Sequence, residues 1–141
     1  MEKHYIDLEG TVIDSWQSPT PVNLHLREFL EGKEVIIYSF ALLNREDSNH
    51  FFVNVKDTLQ TVFGCTVTGI VFTETICDEF AKEDGVEYED YLDRVMYRNE
   101  LGKEGSFLRY VKKYGNSDVV YHLWDDTVED KEIGNVRFHR V

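Results

Sequence analysis

Tyr5-Ile6-Asp7-Leu8-Glu9-Gly10-Thr11 is a short apolar run that delivers two carboxylates into a glycine turn. Side chains of a β-strand alternate with period two, so Asp7 and Glu9 point the same way, and Gly10 lets the backbone approach whatever the acids hold. A second apolar run, Val119-Val120-Tyr121-His122-Leu123-Trp124, also ends in carboxylates: Asp125-Asp126-Thr127-Val128-Glu129-Asp130. If the two strands are parallel neighbours, their carboxyl ends form one acidic cup suited to a hard divalent cation such as magnesium. One Asp or Gly after a strand is ordinary turn chemistry; two acidic strand ends point to a site. Between them, Val35-Ile36-Ile37-Tyr38 ends in Ser39, and Lys103 stands ahead of the helical stretch leading to the second acidic pair. A serine, a lysine and several acids gathered at strand ends make a phosphate and metal site.

In type and order these four segments resemble the haloacid dehalogenase (HAD) superfamily. Its motifs are a strand ending in D-x-D-G-T, a strand ending in Ser or Thr, a lysine ahead of a helix, and a strand ending in D-D-x-x-x-D or G-D-x-x-x-D. Here they read Asp7-Leu8-Glu9-Gly10-Thr11, Ser39, Lys103 and Asp125 to Asp130. The resemblance implies a magnesium-dependent phosphatase that works through an aspartyl-phosphate on Asp7. Glu9 takes the place of the family's general acid/base Asp, and its backbone carbonyl takes the place of a metal ligand. Asp7 and Asp126 are the metal carboxylates so implied, with Asp125 or Asp130 orienting Asp126 or a metal-bound water. Ser39 and the Phe40 amide bind the phosphoryl group, and Lys103 neutralises its charge and that of Asp7.

Glu9 is the main departure from the family pattern. One extra methylene displaces its carboxyl by about an ångström, a shift large enough to lower the rate severely. A second expectation therefore stands beside the enzyme: a HAD-like domain that has lost turnover and acts as a binding or inhibitory protein. A receiver-type signalling domain also gathers acids and a lysine around a phosphorylatable Asp. It needs its phosphoacceptor on the third strand, which here ends in Phe72-Thr73-Glu74.

The elements that must position these residues alternate between strand and helix. The predicted fold is α/β, a Rossmann-like three-layer sandwich on a mainly parallel five-stranded sheet, with residues 1–141 forming a single HAD-like domain. The strands are predicted at about Tyr5–Leu8, Val35–Ser39, Thr66–Phe72, Val119–Trp124 and Val136–Arg140. A helix is predicted from Asn23, its N-cap, to Gly32, and another carries Phe51, Phe52, Val55, Leu59, Val62 and Phe63 on one face before Gly64. Glu74–Lys82, Glu87–Arg98 and Ser106–Tyr114 complete the helices, the first two broken at Asp84-Gly85. Asp14 to Val22, with Trp16, Pro19 and Pro21, reads as a loop or hairpin over the site. The spacing leaves room for no cap domain, only for a small helical lid around Glu74 to Glu100.

Composition narrows the partners. The chain has 141 residues, 42% hydrophobic and 13% aromatic, a globular composition rather than a disordered one. Its net charge of -12 repels polyanions, so bulk nucleic acid is a poor partner. A nucleotide, another small phosphorylated substrate or a phosphoprotein is the expected one, and an oligomer is allowed. Arg94, Arg98, Lys103, Arg109, Lys112 and Lys113 form the one basic stretch, read as solvated helix sides apart from Lys103. His122 is read as a hydrogen-bonded core histidine, and Cys65 and Cys77 as small buried thiols. No apolar run approaches the roughly 20 residues of a membrane span, and Met1-Glu2-Lys3-His4 has no signal-peptide pattern, so the expected location is the cytoplasm.

Overall fold

A computed structural model describes residues 1–96 and 102–141; Arg98 and Glu100 of the sequence reading lie outside them. The sheet has six strands: β1 (Glu2–Ile6), β2 (Glu34–Tyr38), β3 (Thr66–Val71), β4 (Val120–Asp125), β5 (Lys131–Ile133) and β6 (Val136–Arg140). Their order is β3-β2-β1-β4-β6-β5, parallel throughout except for the β5–β6 pair. The architecture is thus α/β with a mainly parallel sheet, as expected. It has six strands rather than five, because β5 was not foreseen: it is only three residues long, exposed on all of them, and lacks apolar alternation. It folds back on β6 through Gly134, whose φ of 57° suits the turn.

Helices α1 (Arg27–Leu30), α2 (Arg45–Asn54) and α3 (Lys56–Phe63) cover one face, α1 being preceded by a single 3₁₀ turn at Leu24–Leu26. Leu26, Leu30, Phe51, Leu59 and Phe63 pack there on Ile6, Val35 and Ile37. On the other face, α6 (Gly102–Tyr114) lays Phe107 and Val111 on Tyr5, Tyr38, Leu123 and Phe138. Helices α4 (Thr73–Asp84) and α5 (Tyr88–Met96) close a smaller cluster of Cys77, Phe80, Ala81, Tyr91 and Val95 beside it. Fully burying such Leu and Phe side chains is worth roughly 1.5–3 kcal/mol each, which holds the helices on the sheet. Among the described residues no helix is long and apolar enough to cross a membrane.

Three helix expectations change. The single helix ending at Gly64 is two, because the chain leaves helical geometry at Val55 (φ -124°, ψ -46°). Asn23 is no N-cap: it sits at φ 52° with no capping bond from its side chain. Asn tolerates that left-handed conformation better than most residues. Finally, α6 begins at Gly102, not Ser106, so Lys103 lies in its first turn instead of ahead of it.

Candidate functional site

The site forms where β1 and β4, the two central strands, end side by side. Their register aligns Ile6 with Trp124, and the Asp7 amide extends the ladder by donating to the Trp124 carbonyl at 3.0 Å. Asp7 and Asp125 therefore leave adjacent strands at nearly the same level and on the same face.

Beyond Asp7 the chain folds tightly. The amides of Thr11, Val12 and Ile13 all donate to the Leu8 carbonyl at 3.0–3.1 Å, and Gly10 NH donates to Ile13 O at 2.8 Å. Gly10 holds φ 79°, and a Cβ there would lie 2.2 Å from Asp126 Oδ2. The position thus excludes every side chain twice, by conformation and by contact. Asn23 clamps the turn from outside, its Nδ2 donating to Gly10 O at 3.0 Å and Thr11 O at 2.9 Å. The segment that follows, expected as a loop or hairpin, is closed by the Ile13–Pro21 bridge and by Asp14 NH donating to Thr20 O at 2.8 Å.

Four groups interlock in the cup. Lys103 Nζ lies 2.7 Å from Asp7 Oδ1 and 2.5 Å from Asp125 Oδ2, and Asp125 Oδ2 has no other partner among the described residues. The second Asp125 oxygen accepts from Thr127 N at 2.8 Å and Thr127 Oγ1 at 2.7 Å. Both Asp125 oxygens are thereby engaged, and their effect is to hold Lys103. Thr11 is fully buried; its hydroxyl donates to Asp7 Oδ2 at 3.1 Å and accepts from the Asp126 amide at 3.1 Å. Glu104, next to Lys103, accepts from Glu129 N at 2.9 Å and pairs with Lys131, pinning the start of α6 to the loop after β4.

Burial pushes the Asp7 carboxyl up to about 6, with Lys103 opposing and Asp125 assisting. Burial pulls Lys103 the other way, and the two aspartates outweigh it, leaving the ammonium above its ordinary value. Lys103 is therefore charged at neutral pH. One cation shared between two buried carboxylates leaves a net negative cup.

One carboxylate oxygen from each of Asp7, Asp125 and Asp126 lies within 4.8 Å of the other two. Magnesium takes hard oxygen donors such as these, so the donor type fits one. Asp126 is the carboxylate least committed to other partners, and the space beside Gly10 is what admits it.

The other expected residues are distributed as follows. Ser39 is buried at the end of β2, its Oγ accepting from the Ala41 amide at 3.1 Å, and it lines the same open cavity of about 850 Å³ as Asp7, Lys103 and Asp126. Phe40 lines it too, with its ring centroid 5.8 Å from Lys103 Nζ. Glu9 stands at the rim but turns its carboxylate to the hairpin, where Oε2 accepts from Trp16 N at 3.0 Å. Asp130 is spent on structure, accepting from Arg140 N at 2.7 Å. Among the other basic residues, Arg109 pairs with Glu83 and Asp84, and Lys113 with Glu79 and Glu83. Two contributors had no site role in the sequence reading, Thr11 as the bridge between Asp7 and Asp126, and Asn23, expected only as a helix N-cap, as the clamp. Only Thr11, quoted within its motif, had a signal.

Fold and site together define an α/β protein with an acidic, lysine-bearing cup at the carboxyl ends of its central parallel strands. No family model matches the chain, and neither the curated proteins nor the solved structures compared with it include a match.

Proposed function

We propose that the chain is a HAD-like, magnesium-dependent phosphohydrolase that acts on a small phosphomonoester, nucleotide or phosphoprotein in a reducing cytoplasm. The observation that carries this reading is Lys103 Nζ held between Asp7 and Asp125, with Thr11 joining Asp7 to Asp126. A carboxylate so placed is a nucleophile whose position is set before substrate arrives. Asp7, Asp126 and the Glu9 carbonyl are the groups to hold Mg²⁺, which when bound supplies neutralising charge to the phosphoryl oxygens.

In the first step an Asp7 oxygen bonds to phosphorus as the bond to the leaving oxygen breaks. Glu9 donates the proton that oxygen needs. In the second, water attacks the same phosphorus, Glu9 takes its proton, and the bond to Asp7 breaks to release phosphate. Lys103 and the Ser39 hydroxyl offset the charge on the transferring group throughout.

Glu9 must leave Trp16 N to do this, and that contact favours the second reading, a HAD-like binding or inhibitory protein with little turnover. Phosphate release with Mg²⁺, measured across nucleotides, sugar phosphates and phosphopeptides, separates the two. Hydrolysis that Asp7→Asn abolishes and Glu9→Gln lowers by roughly 10²–10⁴ supports the enzyme. No turnover in the wild type, with turnover created by Glu9→Asp, supports the binder.

A further inference from the structure

The opposite face of the same strand pair carries a second set of ligand-type side chains. Cross-strand register places His4 beside His122 and Trp124 beside His139. Three of the chain's five histidines meet there. His122 Nε2 lies 2.8 Å from Glu2 Oε1, and His122 Nδ1 lies 2.7 Å from His139 Nε2. Trp124 Nε1 donates to His4 Nδ1 at 3.4 Å.

We propose that Glu2, His4 and His122 form a binding site for a borderline divalent ion such as zinc, separate from the acidic cup. One ligand atom from each of the three lies within 4.8 Å of the others. Two imidazoles and one carboxylate with an open fourth position are a donor set that zinc takes and magnesium does not. Without an ion, His122 Nε2–H donates to Glu2 Oε1 and His122 Nδ1 faces His139 Nε2. A bound ion replaces that Nε2 proton, and His122 Nδ1–H donating to His139 Nε2 then directs the Nε2 lone pair at it.

His4 Nδ1 accepts from Trp124 Nε1, so this nitrogen carries the lone pair that a metal ion needs. Binding also requires His4 to turn. The His4 and His122 rings stack at 4.5 Å with planes 10° apart, and an ion must lie near the plane of each ring that ligates it. His4 therefore turns its Nδ1 lone pair from Trp124 to the ion, giving up a 3.4 Å hydrogen bond, the longest of the cluster. Lys33 opposes the bound charge, and the overall charge of -12 favours it.

The test is zinc titration of the full chain against a chelating indicator, with cobalt(II) absorption to read the coordination and Trp124 fluorescence as a nearby reporter. The expected result is micromolar or tighter zinc binding that millimolar Mg²⁺ does not displace. It should weaken at least tenfold in His122→Gln and in Glu2→Gln and be unchanged in Asp126→Asn. Glu2 is exposed, so its variant reads the site even if the histidine variant folds poorly. Absence of zinc binding by the wild type, wild-type affinity in Glu2→Gln and His122→Gln, or loss in Asp126→Asn would each overturn the proposal.

Discussion

On one face of the β1–β4 pair, Tyr5 and Leu123 form an apolar floor beneath Asp7 and Asp125; on the other, His4, His122 and Trp124 stack in a row completed by His139 of β6, with Glu2 hydrogen-bonded to His122. Apart from His139, the same two strands supply both, in the same register, and only the parity of the residue number differs. The first face is covered by α6, whose first turn inserts Lys103 between the carboxylates. The second face is covered by α1 to α3 over β1 to β3, while His122 and His139 remain only part-buried. A covering helix thus converts hard acids into an ion-paired, preorganised site. Where cover is thinner, imidazoles satisfy one another and a single surface carboxylate.

The largest test of this contrast is Lys103→Met, which leaves two buried carboxylates facing each other without a cation. The loss should be about 3–5 kcal/mol at pH 7, shrinking as pH falls and the carboxylates protonate, by urea unfolding. This exceeds the small effect expected of a loop lysine, because Lys103 is a buried helical residue. Binding of a phosphate mimic such as tungstate should be lost as well; retained binding would move the phosphate role elsewhere.

Gly10→Ala comes next. A Cβ 2.2 Å from Asp126 Oδ2 at φ 79° must displace Asp126, costing about 2–3 kcal/mol in thermal melts and abolishing Mg²⁺ binding by titration calorimetry. Unchanged Mg²⁺ affinity would remove Asp126 from the metal set.

The two faces should also respond to pH with opposite slopes. Asp7, raised to about 6 when folded, binds its proton more tightly in the native state, so its contribution to stability falls as pH rises from about 4 to 6. Asp7→Asn should remove that fall, a relative change of about 3 kcal/mol between pH 3 and pH 7 in EDTA. His4, lowered to about 4, does the reverse: the unfolded chain takes up the proton first, so stability declines as pH drops from about 6.5 toward 4. His4→Gln should flatten that decline, a relative change of about 1–2 kcal/mol between pH 7 and pH 5. Parallel slopes in the two variants would mean that the faces are not electrostatically independent.

Much of the site was legible because it lies at strand ends. Apolar runs closed by Asp7, Ser39 and Asp125 announce where strands stop, and in a parallel sheet those stops fall on one edge. The hairpin after Asp14 was marked by its prolines, and the break at Gly85 by a glycine at φ 69°. Less legible were elements with no periodic apolar signal. β5 is one; the break at Val55 is another, since apolar spacing continues across it. In β3, a register shift opposite Val35 and Ile36 places Val67 and Ile70 against the same core, which strict alternation would forbid.

Residue types and local spacing by themselves determined that this chain alternates strand and helix and carries acids at two strand ends, because period and turn chemistry act within a few residues. Only the tertiary structure decided that Lys103 is buried between Asp7 and Asp125, that Thr11 joins Asp7 to Asp126, and that His4, His122 and His139 meet. Those partners are far apart in the chain or on different strands, and their approach depends on strand order, register and the entry point of α6. These are set by how the whole core packs, and no local pattern encodes them.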